Sequence, residues 1–173
     1  IVLPLSKQIL AGTWDPARVI LRDKAALDEL GVIYRFGAAA VGLHGRTVSL
    51  DDGSAVTGDA VVIATGVTAR KIPGQPDAVW TLRTLDDATA LRDALGDSRS
   101  LLVVGGGFIR AEGAHAARQR GLEVTVLEAM PTPCQHALGP QLGALTGRLF
   151  TEAGVDLRCG TRLTRFVDAH TVE

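Results

Sequence analysis

The run Leu101-Leu102-Val103-Val104-Gly105-Gly106-Gly107 constrains the fold more than any other part of the chain. Four consecutive aliphatic residues suit a strand buried on both faces, and a parallel sheet covered by helices offers such a place. Three glycines in succession then let the backbone turn sharply through conformations that side chains resist. The alanine-rich stretch from Phe108 to Arg120 reads as a helix, and Glu123 to Leu127 as a second strand with Glu128 at its end. Strand, glycine turn, helix and strand with short connections make a right-handed βαβ unit.

This unit has the chemistry to hold a dinucleotide. Gly105 and Gly106 shape the turn, and Gly107 lets backbone N–H groups approach a pyrophosphate. Phe108 and Ile109 open the helix, whose N-terminal dipole favours negative charge. Glu128 follows about twenty residues on, where a carboxylate can hydrogen-bond an adenosine ribose. It would repel a 2′-phosphate, which points to NAD(H) rather than NADP(H). The competing reading is a glycine-rich turn that carries no ligand. Arg110 occupies the place of the third small residue in G-x-G-x-x-G. It either pushes the helix away from the strand or leaves its guanidinium near the phosphates.

Composition narrows the partners. The 173 residues are 46% hydrophobic and 21% charged, the balance of a globular protein with room for one core or two small ones. A formal net charge of -1 offers no strong field for nucleic acid or an acidic membrane. Aromatics at 4% leave few stacking platforms for single strands. No apolar run reaches the ~18–20 residues of a membrane span. Ile1 to Leu10 contains Pro4, Ser6 and Lys7 and lacks the order of a signal peptide. Cys134 and Cys159 form no C-x-x-C pair, and reduced thiols in a cytoplasmic protein are the simplest expectation.

Two halves are visible. From about 32 to 66 the pattern is β-rich. Strands are expected at Val32–Phe36, Ala38–Leu43 and Arg46–Leu50, with Asp52-Gly53 as a turn. A further strand, Asp59–Ala64, holds the run Ala-Val-Val-Ile-Ala and should be buried on both faces. Pro73-Gly74 and Pro76 mark a connection. Thr84 can N-cap a helix that carries Leu85, Ala88, Leu91, Ala94 and Leu95 at helical spacing, with Asp86 and Asp87 at its positive end. After the βαβ unit come a helix near Pro140–Ala153 and a strand at Val155–Arg158. Strand–helix alternation implies a parallel sheet.

Several segments in order then carry a resemblance. Pro4-Leu5-Ser6-Lys7, Ala64-Thr65-Gly66, Leu82-Arg83-Thr84-Leu85-Asp86-Asp87-Ala88, Gly105-Gly106-Gly107-Phe108-Ile109 and Gly154-Val155-Asp156-Leu157 together resemble the FAD-dependent NAD(P)H:ferredoxin reductases of the oxygenase-coupled type. That group includes the putidaredoxin and rubredoxin reductases and lies within the pyridine nucleotide-disulfide oxidoreductase superfamily. The resemblance implies an α/β, glutathione-reductase-like FAD/NAD(P)-binding fold built from Rossmann-type βαβ units, here incomplete. Residues 1–75 would be the C-terminal part of the first FAD-domain segment, and 76–173 an NAD-binding domain truncated at its C-terminus. The chain opens on Ile1 rather than Met, and we expect it to be a piece of a longer protein, poor at binding FAD and inactive alone.

By the same resemblance, Lys7 lies beside the flavin ring, where a cation stabilises the electron-rich reduced form. Ala40 falls where strand backbone holds the FAD adenine. Ala64, Thr65 and Gly66 form a turn that passes FAD, and Arg83 reaches FAD from the linker. Glu112 lies near the nicotinamide and is expected to pair with Lys7. From the residues alone, the alternative readings are a solvated lysine for Lys7, plain β-core for Ala40 and a surface charge for Arg83, and the flanking Pro4-Leu5-Ser6 favours the functional reading of Lys7.

The implied function is an enzyme that passes electrons from NADH through FAD to a ferredoxin-like iron–sulfur protein. Lys7 and Glu112 would stand at the reacting centre. Other readings are another NADH-dependent flavoenzyme, such as a nitrite reductase component or an NADH oxidase, and a non-catalytic NAD-binding module. His44, His115, His136 and His170 lack partners at metal spacing. No cysteine pair stands near Lys7, which argues against disulfide reduction. Arg158, Arg162 and Arg165 read as a solvated basic face rather than a ferredoxin dock.

Overall fold

The structure is a computed structural model that describes residues 4–173. Residues 1–3, where the reading of the chain start and of the first domain begins, lie outside the described residues. The chain divides into two compact units. One comprises the residues up to Val19 together with Thr68–Glu173, and the other Ile20–Val67.

The larger unit is built on a parallel sheet in the order β4 (Ser100–Val104), β5 (Glu123–Glu128), β6 (Asp156–Cys159). Val103 registers with Val126, and Val126 with Leu157, so β5 is hydrogen-bonded on both sides. Helix α3 (Phe108–Gln119) crosses from β4 to β5. Its inner face is small: Gly113, Ala114, Ala116 and Ala117 are buried. That lets the helix backbone come close to Val124 and Val126, which belong to the same core. Helix α4 (Gln135–Glu152) then leads to β6. It starts five residues before the position expected from the sequence, because Gly139 (φ 76°) and Pro140 kink it without ending it. His136 therefore sits in this helix.

Helix α2 (Leu85–Ala94) precedes the sheet. Thr84 caps it as expected. The Thr84 hydroxyl accepts from the Asp87 N–H, while the Asp87 carboxylate accepts from the Thr84 and Arg83 N–H groups. A single π-helical turn, Leu5–Ile9, packs against α2 and α3, with Ile9 and Leu10 fully buried. Arg120 ties these pieces together, donating from Nη1 to the Leu10 and Arg92 carbonyls.

The smaller unit carries helix α1 (Lys24–Glu29), capped by Asp23, and an antiparallel sheet in the order β1 (Ala40–His44), β2 (Thr47–Leu50), β3 (Ala55–Thr57). Gly45, at φ 59°, makes the two-residue turn between β1 and β2. The Asp52-Gly53 turn is closed by Gly53 N–H donating to Leu50. It leads into β3 at 55–57 and not into the expected strand at 59–64. Residues 59–64 pair with no described strand, and Val62 and Ile63 are exposed. An apolar run without neighbours has no ladder to join. The expected strand Val32–Phe36 is also absent. Its side chains turn back locally instead: Tyr34 donates to Asp28 and lies beside Lys24 and Phe36.

Candidate functional site

The glycine turn joins β4 to α3. Gly105, at φ 98°, donates its N–H to the Leu127 carbonyl and so locks the turn to the end of β5. A side chain at Gly105 would be strained at that φ, and its Cβ would stand 3.0 Å from Arg110 Cδ and Nε. At Gly106 a Cβ would meet both Glu128 Oε2 and Pro133 Cβ at 3.0 Å. The two positions therefore form a tight cradle in which only glycine fits, because Arg110, Glu128 and Pro133 fill the space a side chain would need. Gly107 is the N-cap of α3 and has no side chain to cap it, so the first-turn N–H groups stay available to an anion.

Glu128 belongs to the same turn. Its Oε2 accepts from the Gly106 N–H at 2.5 Å and its Oε1 from the Met130 N–H at 2.7 Å. Two backbone donors fix the carboxylate at the end of β5. Cys134 lies beneath, with its N–H and Sγ both on the Gly106 carbonyl. Burial pushes the Cys134 thiol up, and the Glu128 charge adds to this. Cys159 is held up by the same two causes in the same order. Both cysteines are free thiols, and protonated sulfurs of this kind are poor nucleophiles.

Arg110 resolves the alternative left open by the sequence. Helix α3 still lies on the sheet, because Ala111 and Ala114, not residue 110, supply the contact with the core. The Arg110 side chain is exposed and folds across the turn, near Gly105 and Gly107.

A second cluster is formed where the π-helical turn meets α3. Lys7 Nζ lies 3.2 Å from Glu112 Oε1, with 46% of the Lys7 side chain exposed and 22% of the Glu112 side chain. Ser6, fully buried, donates its hydroxyl to Glu112 Oε2. Both oxygens of one carboxylate are thus assigned, which holds Glu112 while leaving the ammonium at the surface. A half-exposed pair of this kind adds about 0–1 kcal/mol to stability, so its geometry matters more than its strength. Sequence reasoning passed over Ser6, and only its place beside Lys7 hinted at it.

The other candidates belong to other elements of the chain. Arg83 is half-buried at the start of α2, its N–H bound by Asp87. Ala40 begins β1 and is exposed. Ala64, Thr65 and Gly66 form an exposed irregular segment of the smaller unit, with Gly66 at φ 69°. Of the basic stretch, Arg158 pairs with Asp156 and Arg165 with Glu173, which neutralises much of it. Among the described residues there is no cluster of metal-ligating side chains, and no helix is long and apolar enough to cross a membrane.

Comparison with known proteins agrees along the whole chain. The sequence family described as pyridine nucleotide-disulphide oxidoreductase matches residues 3–173. The benzene 1,2-dioxygenase system ferredoxin–NAD(+) reductase subunit of Pseudomonas putida is 38% identical over 166 residues, covering 94% of this chain and 40% of that protein. The ferredoxin reductase component of chlorobenzene dioxygenase from Cupriavidus sp. (strain PS12) is 39% identical over 171 residues, again covering 94% and 40%. A crystal structure of the covalent putidaredoxin reductase–putidaredoxin complex superposes with a TM-score of 0.87 at 32% identity, covering 95% of this chain and 42% of that one. The chain thus spans about two fifths of the length of the curated relatives it matches.

Proposed function

The chain belongs to the pyridine nucleotide-disulphide oxidoreductase family, and from that membership we propose that it is part of an NADH-dependent flavoenzyme that reduces a ferredoxin-like iron–sulfur protein. The observation that carries the reading is the Ser6–Glu112–Lys7 cluster. It sets a surface ammonium against the helix that the glycine turn opens. Relatives described as ferredoxin–NAD(+) reductases support a ferredoxin as the acceptor class.

The residues fit the two cofactors. On the NAD(H) side, Gly105, Gly106 and Gly107 form the cradle, Phe108 and Ile109 begin the helix, and Glu128 presents a fixed carboxylate. On the FAD side we place Lys7, Ala40, Ala64, Thr65, Gly66 and Arg83. Gly66 stands at a φ that side chains resist, and the ammonium of Lys7 is half-exposed. FAD, when bound, supplies the change from hydride to single-electron transfer. Lys7 holds positive charge near the ring, and Glu112 holds Lys7 in place. No side chain of the chain need act as nucleophile or general base. Residues 1–75 are proposed as the FAD-side segment, 76–173 as the NAD-side domain, and the cytoplasm as the compartment.

The test uses the longer protein that contains this chain. It should show a flavin spectrum that NADH bleaches. Lys7→Ala should slow single-turnover flavin reduction by at least roughly tenfold, which is ~1.4 kcal/mol on the barrier. Unchanged reduction by NADH would remove Lys7 from the mechanism. A protein that binds NAD but lacks flavin would instead be a non-catalytic NAD-binding module.

A further inference from the structure

We infer that Arg110 is a pyrophosphate-binding residue of the NAD(H) site, a departure from the glycine pattern that adds a charged contact. The inference rests on the NAD(H) reading of the turn. Three observations carry it. First, the Arg110 guanidinium lies over the cradle: its Cζ would be 3.2 Å from a Cβ on Gly105, and its Nη1 3.7 Å from one on Gly107. Second, Arg110 stands in the first turn of α3, at the positive end of the helix dipole, where a cation is unfavourable unless an anion accompanies it. Third, no carboxylate among the described residues forms a direct ion pair with Arg110. Glu112 takes Ser6 and Lys7, and Glu128 takes two backbone N–H groups. Arg110 makes no hydrogen bond or ion pair among the described residues.

A pyrophosphate at the turn supplies the missing charge. It would accept from the first-turn N–H groups of α3 and from the guanidinium together, and planar guanidinium donors suit phosphate oxygens. The side chain is exposed and flexible, so it can move from its contact with Gly105 as the phosphates enter. The cradle itself is kept, because residue 110 is not what spaces α3 from the sheet.

The test compares wild type, Arg110→Gly and Arg110→Lys in the longer flavoprotein, by calorimetric titration with ADP-ribose and with adenosine. ADP-ribose carries the pyrophosphate and adenosine does not. Arg110→Gly should weaken ADP-ribose by roughly tenfold or more at low salt, the loss of one charge-assisted contact, and flatten the salt dependence. Adenosine binding should be the same in both. Arg110→Lys should fall between, because it keeps the charge and loses the fork; it serves also if Arg110→Gly fails to fold. Equal or tighter ADP-ribose binding by the variants would overturn the inference and make the guanidinium an obstruction. A wild type that binds neither NADH nor ADP-ribose would overturn the NAD(H) reading as well, so the two failures are distinct.

Discussion

Residues 100–159 and residues 40–64 are both aliphatic stretches punctuated by glycine turns, and they fold to different ends. In the first, the parallel strands β4, β5 and β6 bury Val124 and Val126 beneath α3, and Phe150 of α4 joins the same core. In the second, three short antiparallel strands bury no side chain fully, and Val41, Val62 and Ile63 stand exposed. An apolar run is stable as a strand only where both its hydrogen bonds and its side chains find neighbours. The crossover helix supplies those neighbours within a short sequence span, and a hairpin does not.

The comparison can be broken most directly with one charge placed in each region. Val126→Asp should cost on the order of 4 kcal/mol or more, since it buries an unpaired carboxylate in the central strand. Ile63→Asp should change stability by no more than about 0.5 kcal/mol. Urea unfolding of the 173-residue chain followed by circular dichroism checks both. Comparable losses would mean that the 59–64 run is packed in solution after all.

A smaller effect tests the local signals of the larger unit. Thr84→Ala should cost about 1 kcal/mol in the same unfolding measurement, through the lost cap of α2. The cap also has a pH signature. Burial acts upward on the Asp87 carboxyl, but the Thr84 and Arg83 N–H groups and the Thr84 hydroxyl outweigh it and hold the group below the usual range. A depressed folded pKa means that the contribution is complete above the unfolded carboxyl value of ~3.9 and is lost as pH falls through the lower folded value. Asp87→Asn should therefore flatten the dependence of the urea midpoint between neutral and acid pH. An unaltered slope would show that the carboxylate contributes nothing to the cap.

The smallest expected change lies in the hairpin unit. The Thr47 and Thr57 hydroxyls are 2.8 Å apart across β2 and β3, and both are on the surface. Thr57→Ala should cost only roughly 0.3 kcal/mol. A loss above about 1 kcal/mol in thermal unfolding would reveal a more cooperative unit than its exposure implies.

How legible each element was follows from the range of the forces that make it. The N-cap at Thr84 and the turn at Gly105 depend on neighbours within a few positions, and both stand where the pattern places them. The strand expected at 59–64 depends on partners from elsewhere, which no local pattern reports. The turn of Tyr34 back to Asp28 and Lys24 likewise overrides a plausible strand with side-chain contacts. The kink at Gly139 hid the first turns of α4, because a breaker pair reads as an end when packing can make it a bend.

The sequence by itself therefore determined the βαβ unit, its glycine turn and the acidic end of its second strand. Glycine conformation, helix capping and hydrophobic period are properties of short segments. The tertiary structure alone decided that Ser6 and Glu112, 106 positions apart, share a hydrogen bond, and that Lys7 closes the same carboxylate. It also decided that Arg110 lies across the turn while α3 remains on the sheet. Those outcomes follow from which surfaces are buried together, and burial joins residues that no local rule connects.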